Sequence, residues 1–114
     1  MERLEAVLKQ KGIHLFARIP HAAGAREAGL SLRPNTVLLF GNPQVGTPLM
    51  QSRQTIGIDL PLKALVWEDE AGQAWLSYND PGYLAERHDI HDRTETVQTM
   101  TAALQALAGA ATGA

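Results

Sequence analysis

The chain has 114 residues, 45% of them hydrophobic, no cysteine, and a formal net charge of −2 with the signs interspersed. That length suits one domain and is too short for two, and without cysteine there are no disulfides, thiolate zinc sites or cysteine nucleophile. The lack of a basic stripe and an aromatic content of only 5% argue against a nucleic-acid partner, which needs cationic charge and stacking surfaces.

Leu4, Val7 and Leu8 recur at helical spacing, and Lys9-Gln10-Lys11-Gly12 supplies the stop: cations complement the carbonyl end and glycine turns left-handed. Ile13, Leu15, Ala17 and Ile19 then alternate with His14, Phe16 and Arg18, the period of a half-buried strand, and Pro20 ends it. His21 to Ala28 is a short alanine-rich helix stopped by Gly29, and Arg33-Pro34-Asn35 is turn chemistry. Thr36-Val37-Leu38-Leu39-Phe40 is an unbroken apolar run, the pattern of a central strand covered on both faces. It enters the loop Gly41-Asn42-Pro43-Gln44-Val45-Gly46, and Thr47-Pro48 predicts a helix start continuing through Leu49, Met50 and Arg53.

Ile56 to Pro61 reads as a loop, and Lys63–Trp67 and Gln73–Tyr78 as a β-hairpin around the acidic tip Glu68-Asp69-Glu70-Ala71-Gly72. Asn79-Asp80-Pro81 is a second cap-then-proline start, leading into Tyr83, Leu84 and Arg87. Val97, Met100, Leu104 and Leu107 form an apolar stripe on a last helix beginning near Thr94, and the Gly/Ala tail, 109–114, is expected to fray. The whole predicts one α+β domain over residues 1–108: a small mixed sheet of about four strands, including the hairpin of the C-terminal half, packed with helices. No stretch reaches the ~18 apolar residues of a membrane span. With charges at Glu2, Arg3 and Glu5 no signal peptide is visible, and a cysteine-free domain is expected in the cytoplasm.

A series of short motifs then appears in a known order. Phe16-Ala17-Arg18-Ile19, His21-Ala22-Ala23-Gly24-Ala25, Leu32-Arg33-Pro34 and Phe40-Gly41-Asn42-Pro43 come first. Gly46-Thr47-Pro48-Leu49-Met50, Gly57-Ile58-Asp59-Leu60-Pro61-Leu62-Lys63, Val66-Trp67-Glu68-Asp69 and Ser77-Tyr78-Asn79-Asp80-Pro81 follow. Together, from about residue 4 to His88, they resemble the bacterial and archaeal family called domain of unknown function 302. The resemblance implies a compact α/β domain paired as a homodimer, and it implies no reaction. Two departures stand out. The family pattern opens with a further strand before the first helix, so the sheet is expected to be one strand smaller or to leave an edge for a partner. Pro20 stands where the family commonly has Asp, which removes a cap from the helix that starts at His21.

The leading place for a ligand is the loop from Gly41 to Thr47, between a central strand and a helix, where open α/β sheets bind ligands. Its glycines let backbone N–H groups approach an anion, and Arg33 or Lys63 supplies a full charge; the alternative is that glycines and prolines merely shape a turn. The ligand-binding candidates are Arg33, Asn42, Gly46, Thr47, Lys63, Tyr78 and Asn79. His21 and Asp59 are the candidates for acid/base work, His21 because imidazole titrates near neutrality and Asp59 through a pairing with Lys63 or Arg33. Helical spacing puts His88 and His91 on one face, a weak metal motif. Trp67 and Trp75 flank the hairpin as core or interface residues. No nucleophile elbow, zinc-protease motif or dinucleotide fingerprint is present, and nothing calls for a cofactor. The expectation is a homodimeric domain that binds a small anionic ligand, with a small enzyme using His21 or Asp59, or a pocketless self-association module, as alternatives.

Overall fold

The computed structural model describes residues 2–113; Met1, and Ala114 at the end of the expected tail, lie outside the described residues. In chain order the elements are α1 (Glu2–Gln10), β1 (His14–Pro20), α2 (His21–Glu27), β2 (Asn35–Gly41), α3 (Pro43–Ser52), a 3-10 helix (Gln54–Ile58), β3 (Leu62–Glu68), β4 (Ala74–Tyr78), α4 (Pro81–Arg87) and α5 (Thr94–Thr112). The fold is α+β, with four strands in the order β1-β2-β3-β4 and β3–β4 as a hairpin. Every neighbouring pair is antiparallel, where a mixed sheet is expected. The reason lies in the connections. Pro20 pairs with Thr36 and Phe40 with Leu62, so each intervening helical segment returns the chain beside the strand end it left and never crosses the sheet.

Two helix boundaries differ from those predicted. α3 starts four residues before Thr47: the Asn42 side chain accepts a hydrogen bond from the Gln44 N–H at 2.9 Å, and Pro43 occupies the first turn. Pro48 therefore lies inside the helix. α5 runs on through the alanines of the tail to Thr112, with Ala111 packed against the core and Gly113 closing the helix at φ +77°. Pro20 caps α2 with no side-chain hydrogen bond, as the missing Asp implies.

One face of the sheet builds the core. Leu38 and Phe40 of β2 and Ala64 of β3 are buried against Leu4, Val7 and Leu8 of α1 and Leu104 and Leu107 of α5. Each large apolar side chain so buried contributes ~1.5–3 kcal/mol of transfer free energy. A second cluster adjoins it and ties α3, the 3-10 helix, α4 and α5 together through Leu49, Ile56, Leu84 and Met100.

β1 breaks the simple alternation expected of it. Leu15 sits opposite Phe40 but Ala17 sits opposite Leu39, so Phe16 is bulged out of register. The bulge flips the parity of everything after it. Leu15 packs with the core, while Ala17 and Ile19 turn to the opposite face beside Leu39 and Val37. Arg18 is carried to the helix side, where it pairs with Glu5 of α1 at 3.3 Å.

The opposite face of the sheet presents Ile19, Val37, Leu39, Lys63, Leu65, Trp67 and Trp75, and none of them is buried. Among the described residues no helix covers it: α2 borders it at β2 and buries none of its own residues. β2 is thus covered by helices on one face, not on the two that its unbroken apolar run predicts. The radius of gyration is 15.2 Å, above the about 13 Å of a compact domain of ~100 residues, as a two-layer slab requires.

Candidate functional site

The sequence-selected residues fall into three separate places. The first is a cavity of about 220 Å³ at the end of β2 that holds Asn42, Gly46 and Thr47. Its walls come from Phe16, Val45, Met50, Leu60, Leu62 and Met100, so it is apolar. The α3 N-terminus at its rim has no donors to spare for an anion. Pro43 has no N–H, the Gln44 N–H goes to the Asn42 side chain, and the Val45 and Gly46 N–H groups donate to the Asn42 carbonyl at 2.9 and 3.0 Å. The anion site expected at this loop therefore loses its backbone donors, because Asn42 satisfies them.

The second place is a depression on the helix-free face of the sheet. Val37 and Leu65 floor it, and His21, Lys63, Ser77, Tyr78 and Asn79 surround it. Register explains the grouping. Leu65 pairs with Val37 on one side and Ser77 on the other, so the three stand in a row, with Lys63 two residues along the same face. His21 arrives from the start of α2 and Asn79 from the end of β4. None of the described residues lining the depression is acidic, and neither Lys63 nor His21 takes part in an ion pair among the described residues. Arg33 is not part of it; its charge acts on Asp69 at the hairpin tip.

The third place centres on Asp59, whose side chain is 12% exposed. Its carboxylate accepts two hydrogen bonds from Arg87 Nη1, at 3.0 and 3.2 Å, and a short one from His88 Nε2. A carboxylate only accepts, so in the neutral imidazole the proton is on Nε2, and His88 Nδ1 accepts from the Thr55 hydroxyl at 3.0 Å. The result is a hydroxyl–imidazole–carboxylate chain joining the 3-10 helix to the end of α4. Asp59 is paired with neither Lys63 nor Arg33, the partners weighed from spacing, because Lys63 points to the far face of the sheet.

His88 and His91 do not converge. His88 is committed to Asp59 and Thr55, while His91 Nε2 lies 2.7 Å from Asp89 on the surface. Among the described residues no group of three or more His, Asp or Glu side chains is placed to hold a metal. Trp67 and Trp75 stack on the helix-free face with ring centroids 6.2 Å apart, and Trp75 is half exposed, so neither belongs to the core. Sequence reasoning missed Phe16, Thr55, Arg87 and Ser77. Asn42-Pro43 was the overlooked signal for the helix start, whereas nothing local marks Arg87 as the partner of a carboxylate 28 residues away.

Comparison with known proteins places this geometry in context. The profile of the family described as "Domain of unknown function DUF302" matches residues 1–107. Among curated proteins, the chain is 53% identical over 90 residues to "Fluoride-specific ion channel FluC 1" of Brucella suis biovar 1 and to the protein of the same name from Brucella abortus biovar 1. Each match covers 79% of this chain but only 35% and 33% of those relatives, so the chain spans about a third of their length. No helix among the described residues is long and apolar enough to cross a membrane. Among solved structures, an uncharacterised conserved protein of the same family from Bacillus stearothermophilus superposes with a TM-score of 0.86 at 24% identity, over 96% of this chain and 86% of that one. At that identity the likeness speaks for the fold.

Proposed function

We propose, from the premise that this chain belongs to the family of domain of unknown function 302, that it is a cytoplasmic homodimeric domain that binds a small anion on the helix-free face of its sheet. One observation carries the reading: Lys63 and His21 meet the side chains of Ser77 and Asn79 in one depression without an acidic residue among the described lining. Tyr78 also borders it, but its ring packs with the core cluster on the other face. An ammonium group with no competing carboxylate attracts anions; the Asn79 amide donates to what the charge attracts, and the Ser77 hydroxyl, which accepts from the Trp67 indole, still has its own hydrogen to give. The uncovered apolar floor supports the dimer, since a second copy laid on this face would cover it and exclude water from the charge. Calorimetric titration of the protein with sodium fluoride, phosphate and acetate at constant ionic strength tests this. Saturable binding of at least one anion, weakened tenfold or more in Lys63→Ala and kept in Lys63→Arg, is the expected result. No binding of any of the three, or equal binding in Lys63→Ala, rules the reading out.

A second reading follows from the curated relatives, named as fluoride-specific ion channels. In this reading the domain serves an ion channel as its anion-responsive module outside the membrane. The matched third of those relatives corresponds to a segment in which, among the described residues, no helix is long and apolar enough to cross a membrane. Fluoride being the one anion bound in the titration favours this second reading.

A further inference from the structure

The cavity at the end of β2 is apolar, and the anion-binding reading makes no use of it. We infer that it is a separate binding site for a small uncharged apolar molecule, about one ring in size. The cavity is a half-open cleft of about 220 Å³ with apolar walls, a shape that suits a small apolar ligand. An enclosed apolar cavity of roughly 150 Å³ takes up benzene, so in size one aromatic ring or a short branched alkyl group matches this cleft.

Three glycines show that the space is kept open by composition. Gly41, Gly46 and Gly57 all line the cavity. A Cβ built on Gly46 would come to 3.5 Å from Leu60 Cδ1, one on Gly57 to 3.5 Å from Met50 Sδ, and one on Gly41 no closer than 3.9 Å to Phe16 and Pro61. All three are ordinary contacts, so alanine fits at each position, and none of the three has a positive φ that would demand glycine. Gly46 even stands inside α3, where glycine weakens the helix relative to alanine. What the missing methyl groups preserve is room. The bulge in β1 is the second observation: it takes Phe16 out of the strand register and sets it at the same cavity, 48% exposed, and bulges commonly re-aim a side chain beside a site. Met50 and Met100 add adaptable thioether surface.

Titration of protein carrying ¹³C-methyl methionine with toluene tests the site. Met50 and Met100 methyl signals are expected to shift saturably, and the double variant Gly46→Ala/Gly57→Ala to bind at least tenfold more weakly with an unchanged or higher melting temperature. If that variant fails to fold, Val45→Phe narrows the cavity from another wall and gives the same loss. Absence of a saturable shift, or equal binding by the narrowed variants, overturns the proposal. So does loss of the dimer in those variants when the parent shows no toluene shift, because the cavity would then hold a side chain of a second copy. Lys63→Ala leaves toluene binding intact, so failure here is distinct from failure of the anion site.

Discussion

Asp69 organises the hairpin tip. Its Oδ1 accepts from the Ala71 and Gln73 N–H groups, each at 2.9 Å, and its Oδ2 from the Trp75 indole at 2.8 Å. The Trp75 hydrogen bond, then the backbone bonds, with a further contribution from the Arg33 charge, hold its pKa below the ordinary 3.8. A depressed carboxylate pKa gives stability that is present above the ordinary value and lost as pH falls through the folded one. NMR titration is expected to place the Asp69 midpoint below 3.8 and to return it toward that value in Trp75→Phe; an unchanged midpoint in the variant would reassign the cause. The acidic tip was legible in the sequence as a solvated turn. That one of its carboxylates reaches a tryptophan six residues on was not, because the contact depends on which face of β4 carries the indole.

At the scale of elements, caps and stops were the most readable signals and also the source of one error. Gly12 and Gly29 take positive φ where each was expected to end a helix. Asp80-Pro81 starts α4 as read, with the carboxylate accepting from the Tyr83 N–H at 3.3 Å. The same grammar stands at Asn42-Pro43, but Thr47-Pro48 competes with it, and local chemistry alone does not rank two valid caps five residues apart. Packing ranks them: starting at Pro43 brings Val45 as well as Leu49 into the second core cluster. Asn42→Ala is expected to lower stability to urea by about 1 kcal/mol and Thr47→Ala by only a few tenths. The reverse order would restore Thr47 as the cap.

At the scale of the molecule, the bulge at Phe16 decides what the free face offers. Without it Ile19 would lie with Leu15 on the core side; with it Ile19 joins Val37, Leu39 and Leu65 beside the two tryptophans. A run such as Val37-Leu38-Leu39 is apolar on both faces, and helices cover one of them, which is the physical argument for a second copy on the other. Ile19 is 43% exposed in the single chain, so Ile19→Lys should fold normally. Sedimentation velocity is expected to show a dimer for the parent and a monomer for this variant, and a variant that stays dimeric would move the interface off this face.

The sequence by itself determined the helices and strands, the hairpin, the stops at Gly12 and Gly29 and the family, because each is written in local spacing: period, caps, glycine and short ordered motifs. The segment read as a loop from Ile56 instead begins inside a 3-10 helix (Gln54–Ile58), and α5 runs past the expected fraying tail to Thr112. The sequence also selected His21, Lys63 and Asn79, without saying that these three belong together. Only the tertiary structure decided that grouping, along with the pairing of Asp59 to Arg87 and His88 and the apolar cavity beside Gly46. Strand register and a one-residue bulge choose the face on which each side chain stands, and contacts between residues some thirty positions apart leave no mark in local spacing.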